Sequence, residues 1–184
     1  MDTMSGIVES LGLPVIVKPP SGGSTVGLTL VREERQLEAA LDLALHHETR
    51  VMFEEYVRGR ELTVGIVADE ALAVGEIIPE NVIFDYECKY TPGMAQEIFP
   101  ADLLPSESDL FRSLAQRAHR TLGMRDFSRI DFIFAVDGAP WCLEANALPG
   151  LTSNSLLPRA ARASGISFPE LCDRLVRIAF DRGK

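Results

Sequence analysis

No apolar run in this sequence approaches the roughly 18 residues that a membrane span needs, and Met1–Ser10 lacks the basic and apolar segments of a signal peptide. The expectation is a cytoplasmic chain without membrane contact. Cysteine is scarce: Cys88, Cys142 and Cys172 are scattered, odd in number and without Cys-x-x-Cys spacing, which argues against a disulfide framework or a zinc site. Surplus positive charge is missing too. The net charge is −9, whereas a surface that grips nucleic acid along its phosphates has to be basic. An anionic nucleotide stays compatible where lysines and arginines gather locally. What is present, 184 residues of which 46% are hydrophobic and 24% charged, suits one large domain or two small lobes with a sizeable core.

The most informative stretch runs from Arg129 to Asn146, two apolar runs joined by Asp137-Gly138. Asp-Gly at such a place signals a hairpin, because both central residues of a type I′ turn need positive φ. If the loop is those two residues, Val136 pairs with Ala139, and counting outward sets Asp131 opposite Glu144 and Arg129 opposite Asn146, all on one face. The strand period then puts Phe132, Phe134, Trp141 and Leu143 on the other face, in a core. Facing carboxylates repel unless something positive sits between them. Two carboxylates and an amide oxygen suit Mg²⁺, which is usually held by one or two carboxylates together with substrate phosphates. A surface hairpin with merely solvated acids is the plain alternative, and a loop one residue longer would undo the facing.

Further along the chain, Leu13–Val17 reads as a strand ending at Lys18-Pro19-Pro20, and residues 1 to 11 look short of a full helix. Ser21-Gly22-Gly23-Ser24-Thr25-Val26-Gly27 is a Gly/Ser loop leading to a strand over Leu28–Val31. Backbone N–H groups of such a loop can cover phosphates. It is not a Walker loop, since no Gly-Lys-Ser/Thr follows and the next element is a strand. Taken singly, Lys18 also fits a solvated strand end and the glycines plain turn residues. Glu33–His47 has the spacing of an amphipathic helix, and His46 and His47 at its end suit the helix dipole. Strands are expected over Val51–Val57, Glu61–Val67 and Ala71–Ile78. Glu54 and Glu61 flank a bend where a backbone edge and a carboxylate can meet a base and a ribose, or simply be exposed acids. Pro79–Pro105 is long for a structureless loop, a length that usually marks function or disorder. Ser106–Leu122 reads as a helix with a capping box from Ser106 to Asp109 and Gly123 as its stop. Ala147–Ser155 opens into a helix from about Leu156, whose N-terminus is a ready anion site or a mere cap. Phe168–Phe180 closes the chain as a helix.

Five segments together resemble the ATP-binding portion of the D-alanine–D-alanine ligases, a family of ATP-grasp enzymes, over nearly the whole chain from about Leu11. They are Leu-Pro-Val-Ile-Val-Lys-Pro at 13 to 19, Gly-Gly-Ser-Thr-Val-Gly at 22 to 27, Asp-Tyr-Glu-Cys-Lys-Tyr at 85 to 90, Arg-Ile-Asp at 129 to 131, and Leu-Glu-Ala-Asn-Ala-Leu-Pro-Gly-Leu-Thr-Ser-Asn-Ser-Leu at 143 to 156. The resemblance implies an α+β ATP-grasp fold with a small lobe at 1 to 60 and a large lobe at 61 to 184, the latter carrying a flap at 79 to 105. Two such lobes clamp Mg-ATP between antiparallel sheets. The implied reaction phosphorylates the carboxylate of one D-alanine and lets the amine of a second attack the acylphosphate, in a cytoplasmic step of peptidoglycan precursor synthesis.

By matching position, the resemblance assigns ATP phosphates to Lys18 and Lys89, the adenine to Glu54 and the backbone at Glu55 and Val57, and the ribose to Glu61. Asp131, Glu144 and Asn146 would bind two Mg²⁺ ions, for which Mn²⁺ can substitute. Arg129 and the backbone at Gly150 would stabilise the tetrahedral intermediate, and Ser155 with the backbone at Leu156 would receive the second substrate's carboxylate. Ser24 and Tyr90 match the pair that closes the flap onto the glycine loop. Tyr90, where D-lactate-using relatives commonly carry histidine, favours D-alanine.

The sequence departs from the family pattern in places. Ala147 stands where threonine is usual and Thr25 where serine is usual. The family's N-terminal domain, with an acid for the first D-alanine's ammonium and a further nucleotide lysine, would precede this chain, so weak or no activity of the chain alone is expected, and a homodimer is what the resemblance suggests. Two other functions stay open: a ligase for another carboxylate and amine, and a nucleotide-binding fragment that needs a separate N-terminal domain.

Overall fold

The computed structural model describes residues 3–21, 23, 25–79 and 95–182, with side chains from Gly6 onward. It divides into two compact units. The first takes the described residues up to Val57, with Pro79 and Ala95; the second takes Arg58–Ile78 and the chain from Gln96. Among the described residues no helix is long and apolar enough to cross a membrane.

In the first unit, α1 (Thr3–Leu11) is a helix of nine residues where the sequence reading saw none. Three antiparallel strands, β1 (Val15–Lys18), β2 (Thr29–Val31) and β3 (Met52–Glu55), form a sheet in the order β2-β1-β3. The expected helix at 33 to 47 resolves into a 3-10 turn at Glu34–Gln36 and α2 (Leu37–His47). Strand alternation turns Val15 and Val17 toward one face, where Leu37, Ala40 and Ala44 of α2 bury them completely, with Val8 and Leu11 of α1 beside them. Ile16 and Lys18 belong to the other face. Gly27, at φ +76°, lies so close to Pro19 and His47 that a Cβ would sit 2.8 Å from the imidazole, so the loop between β1 and β2 needs a glycine there.

The second unit is built on a six-stranded sheet: β4 (Gly59–Val67), β5 (Glu70–Ala71), β6 (Gly75–Pro79), β7 (Ala95–Ile98), β8 (Phe127–Ala135) and β9 (Pro140–Asn146). Five strands run in the order β7-β6-β4-β8-β9, and β5 pairs with β4. The strand expected over 71 to 78 is thus split in two, and β7 lies within the stretch read as loop. On one face, Leu62, Val64, Ile66, Ile130 and Phe132 pack against Phe111 and Ala115 of α3 (Pro105–Thr121). Fully burying a side chain such as Phe111 contributes about 1.5–3 kcal/mol. The helix begins one residue before the expected start, with Pro105 at its first turn, and Glu107 rather than Asp109 closes the cap by accepting the Leu104 N–H at 2.8 Å.

The opposite face is divided along its length. At one end Val67 and Leu72 pack against α4 (Leu156–Ala163) and α5 (Phe168–Arg182) through Leu157, Ala160, Ala161 and Leu171. Gly65 lets α4 approach, since a Cβ there would stand 2.5 Å from Leu157. Beyond Gly65 this face becomes polar.

Candidate functional site

The polar end is made by register. Thr63 of β4 stands opposite Asp131 of β8 and Gly65 opposite Arg129, while on the far side of β8 Asp131 faces Glu144 and Arg129 faces Asn146 of β9. The four residues expected to share a face therefore do share it. The hairpin reaches that result by another route. Ala135, not Val136, bonds to Ala139 (N–H to O, 2.9 Å), so the loop is the three residues Val136-Asp137-Gly138, with Gly138 at φ +87°. A three-residue loop with a left-handed glycine at its end is the next commonest hairpin connection. Phe134 then pairs with Pro140, Ile133 with Trp141 and Phe132 with Cys142, one residue out of the expected step, until a bulge at Leu143 restores the pairing of Asp131 with Glu144. The displaced segment leaves the core. Trp141, now opposite Ile133, and Leu143 are 48% and 41% exposed, against the expectation of burial.

Asp131 is 5% exposed and fully engaged. Its Oδ1 accepts from Thr63 Oγ1 at 2.6 Å and Arg129 Nε at 2.9 Å; its Oδ2 accepts from an Arg129 terminal nitrogen at 2.7 Å and Asn146 Nδ2 at 3.1 Å. Asn146 Nδ2 also reaches Glu144 Oε1 at 3.1 Å, and Arg129 lies 3.7 Å from the same carboxylate. Burial works against the charged form of Arg129, but its hydrogen bonds to Asp131 and the charges of Asp131, Glu144 and Glu61 outweigh this and raise its pKa above the ordinary arginine value. The repulsion between the facing acids is thus relieved by a guanidinium and an amide.

The donor set, two carboxylates and an amide on one face, is the hard oxygen chemistry that Mg²⁺ takes when phosphates complete its coordination. Asn146 would turn its amide over to offer Oδ1. Among the described residues no cluster of three or more His, Cys, Asp or Glu side chains is arranged around a metal position; the set depends on the amide and on a ligand's own oxygens.

In the first unit, Lys18 and Glu54 come together. Glu54 pairs with Ile16, so it shares the face away from α2 with Lys18, and the two form an ion pair at 2.5 Å. The backbone at Glu55 is also distinctive. Tyr56 N–H bonds to Pro14 O and Val15 stands opposite Glu55, so by the alternation of an antiparallel ladder Glu55 turns its N–H and C=O groups away from β1, and Val57 follows two residues past the end of β3. Among the described residues no strand pairs with that outer edge of β3. Glu61 lies two residues before Thr63 on β4, on the Asp131 face of the second unit, near enough to act on Arg129.

Gly150, Ser155 and Leu156 gather at the start of α4. Ser155 Oγ lies 2.8 Å from Thr152 Oγ1 and accepts the Thr152 N–H at 3.2 Å, leaving its own helix without a side-chain cap. The first N–H groups of α4 are consequently not used by the capping residue. A Cβ at Gly150 would meet Ser155 Oγ at 2.8 Å. Ser24, Lys89 and Tyr90 lie outside the described residues. The residue that sequence reasoning missed is Thr63. Its signal was the strand period, which puts Thr63 on the face of Glu61.

The family model described as "D-ala D-ala ligase C-terminus" matches residues 1–177. The D-alanine–D-alanine ligase of Geotalea uraniireducens (strain Rf4) is 44% identical over 170 residues, covering 91% of this chain and 54% of the relative. Among solved structures, the VanG D-Ala:D-Ser ligase from Enterococcus faecalis superposes with a TM-score of 0.85 at 32% identity, over 95% of this chain and 52% of that one. The D-alanine–D-alanine ligase from Bacillus anthracis complexed with ATP gives 0.79 at 26% identity, over 95% and 55%. The chain spans about half the length of the curated relatives it matches.

Proposed function

This chain belongs to the D-ala D-ala ligase C-terminal family and has its α+β ATP-grasp fold, and from that premise we propose that it is the ATP- and metal-binding part of a D-alanine–D-alanine ligase. The observation that carries the reading is the network in which Arg129 and Asn146 tie Asp131 to Glu144 on one sheet face. No nucleophile of the protein is required. The carboxylate of the first D-alanine attacks the γ-phosphorus of ATP, ADP leaves, and the amine of the second D-alanine attacks the acylphosphate carbon, releasing phosphate. Positioning and charge neutralisation suffice for this chemistry.

Each group has a part in that scheme. Asp131, Glu144 and Asn146 would hold Mg²⁺, which supplies charge neutralisation at the phosphates when bound. Lys18 would carry positive charge to the phosphates, Lys89 likewise, and Glu54, with the outward backbone groups at Glu55 and the backbone at Val57, would bind the adenine. Glu61 would take the ribose. Arg129, held by Asp131, would neutralise charge at the tetrahedral carbon together with the backbone at Gly150, and Ser155 and the Leu156 N–H would take the second carboxylate. Ser24 and Tyr90 would close the flap. An ATP-consuming step of this kind belongs in the cytoplasm.

The likeness to a D-Ala:D-Ser ligase supports a second reading, an ATP-grasp ligase of the same mechanism with another amine substrate. A first test is calorimetry of Mg²⁺-dependent ATP binding by this chain and by Asp131→Ala and Glu144→Ala variants, where binding lost in both variants is expected. A second supplies the N-terminal portion of a relative in trans and scores ADP release against D-alanine and D-serine. Release only with D-serine as second substrate would overturn the leading reading, and ATP binding unaffected by either variant would overturn the metal assignment.

A further inference from the structure

Thr63 is 1% exposed and lies between Leu62 and Val64, both fully buried. Valine has the same branched shape and would occupy such a position without a polar atom to satisfy. The hydroxyl is therefore to be explained by its partner. It donates to Asp131 Oδ1 at 2.6 Å, across the register pair of β4 and β8. The other oxygen, Oδ2, is the one that Asn146 reaches, and Asn146 is also the residue that reaches Glu144. One oxygen of the carboxylate is thus anchored to the middle of the sheet while the other is presented to the remaining donors of the set.

We propose that Thr63 is the positioning residue of this site: its hydroxyl fixes the rotation of the Asp131 carboxylate so that Oδ2 faces Glu144 and Asn146, and it thereby sets the affinity for a divalent cation. Hydrogen bonds from behind a ligand, which orient it without touching the ion, typically change metal affinity 10- to 100-fold when removed. Arg129 does not substitute for the hydroxyl. Its guanidinium bonds to both oxygens of Asp131, with two of its three contacts on Oδ2, whereas the Thr63 hydroxyl bonds to Oδ1 alone. The inference rests on the metal reading above.

The test is a Mn²⁺ titration in the presence of ADP, following free Mn²⁺ by electron paramagnetic resonance, on the chain and on two matched pairs of residues at position 63. Threonine and valine (Thr63→Val) differ in the hydroxyl at constant shape, and Thr63→Ser and Thr63→Ala differ in the hydroxyl at constant small size. Within each pair the hydroxyl-bearing form is expected to bind about 10- to 100-fold more tightly, with Thr63→Ser within about threefold of the unaltered chain. Should one of the two apolar variants fail to fold, the other pair still decides. Equal affinities within a pair would overturn this inference alone. Absence of Mn²⁺ binding by the unaltered chain would overturn the metal reading, and this inference with it.

Discussion

Asp131 and Glu144 face each other because two irregularities of one hairpin offset each other: a three-residue loop shifts β9 by one place against β8, and the bulge at Leu143 shifts it back. Inserting one residue between Leu143 and Glu144 should therefore set Glu144 against Ile130 and carry it and Asn146 off the face of Asp131, while the Phe111–Phe132 packing on the other side stays. Mg²⁺-dependent ATP binding is expected to weaken at least tenfold in calorimetry, with cooperative unfolding retained. Unchanged binding would mean that the register does not govern the site.

Arg129 is the positive partner of a buried carboxylate, so its removal leaves Asp131 poorly compensated. Arg129→Ala is expected to cost about 3 kcal/mol in urea unfolding. Millimolar Mg²⁺ should return part of that loss in the variant and add less to the unaltered chain, because the ion supplies the charge the side chain took away. Equal gains in both chains would refute the compensation.

His119 is 4% exposed, and its Nδ1 lies 2.7 Å from Ser128 Oγ. Burial pushes its pKa below the ordinary histidine value; the Arg120 charge adds to this, and Asp69 and Asp126 oppose it. The folded state thus holds the neutral ring. Its contribution is complete above the unfolded pKa of about 6.5 and is lost as pH falls from there toward the lowered folded value. Urea midpoints should drop between pH 7.5 and 5, and the drop should shrink in His119→Gln. An equal drop in the variant would place the effect elsewhere.

Two glycines of β4 should respond differently to alanine. A Cβ at Gly59 would stand 2.2 Å from the carbonyl oxygen of Phe134, which is backbone, whereas at Gly65 it would meet the far end of Leu157 at 2.5 Å. Gly59→Ala is expected to cost about 3 kcal/mol and Gly65→Ala about 1 kcal/mol, the two ends of the range for overpacking. Urea unfolding of the two variants checks the order, and a reversal would show that α4 yields less readily than the β4–β8 ladder.

Much of this was legible in the sequence. Period-two alternation within 129 to 146 gave the first hairpin strand its two faces, and the pairing of Asp131 with Glu144 followed from an Asp-Gly turn. The assumed two-residue loop was wrong, and so was the burial of Trp141 and Leu143. A bulge has no local signature in residue type, because it answers to the packing of the partner strand rather than to propensity. Helix α1 was missed because nine residues carry little periodic signal and take their stability from packing, here of Val8 and Leu11 on the first core. Thr63 was overlooked because a threonine in a strand interior reads as β-propensity; only the hydrogen bond to Asp131 shows what its oxygen is for.

The outward edge of β3 at Glu55 and the chain just beyond it at Val57 offer backbone groups that every residue but proline carries in full. Recognition of an adenine by that edge, as proposed above, would be written in the path of the chain rather than in its alphabet. Substitution at these two positions would alter charge and bulk while leaving the backbone donors and acceptors in place, so the proposed contact would survive it. Only a proline, or a change that bends β3 away from β1, would erase it.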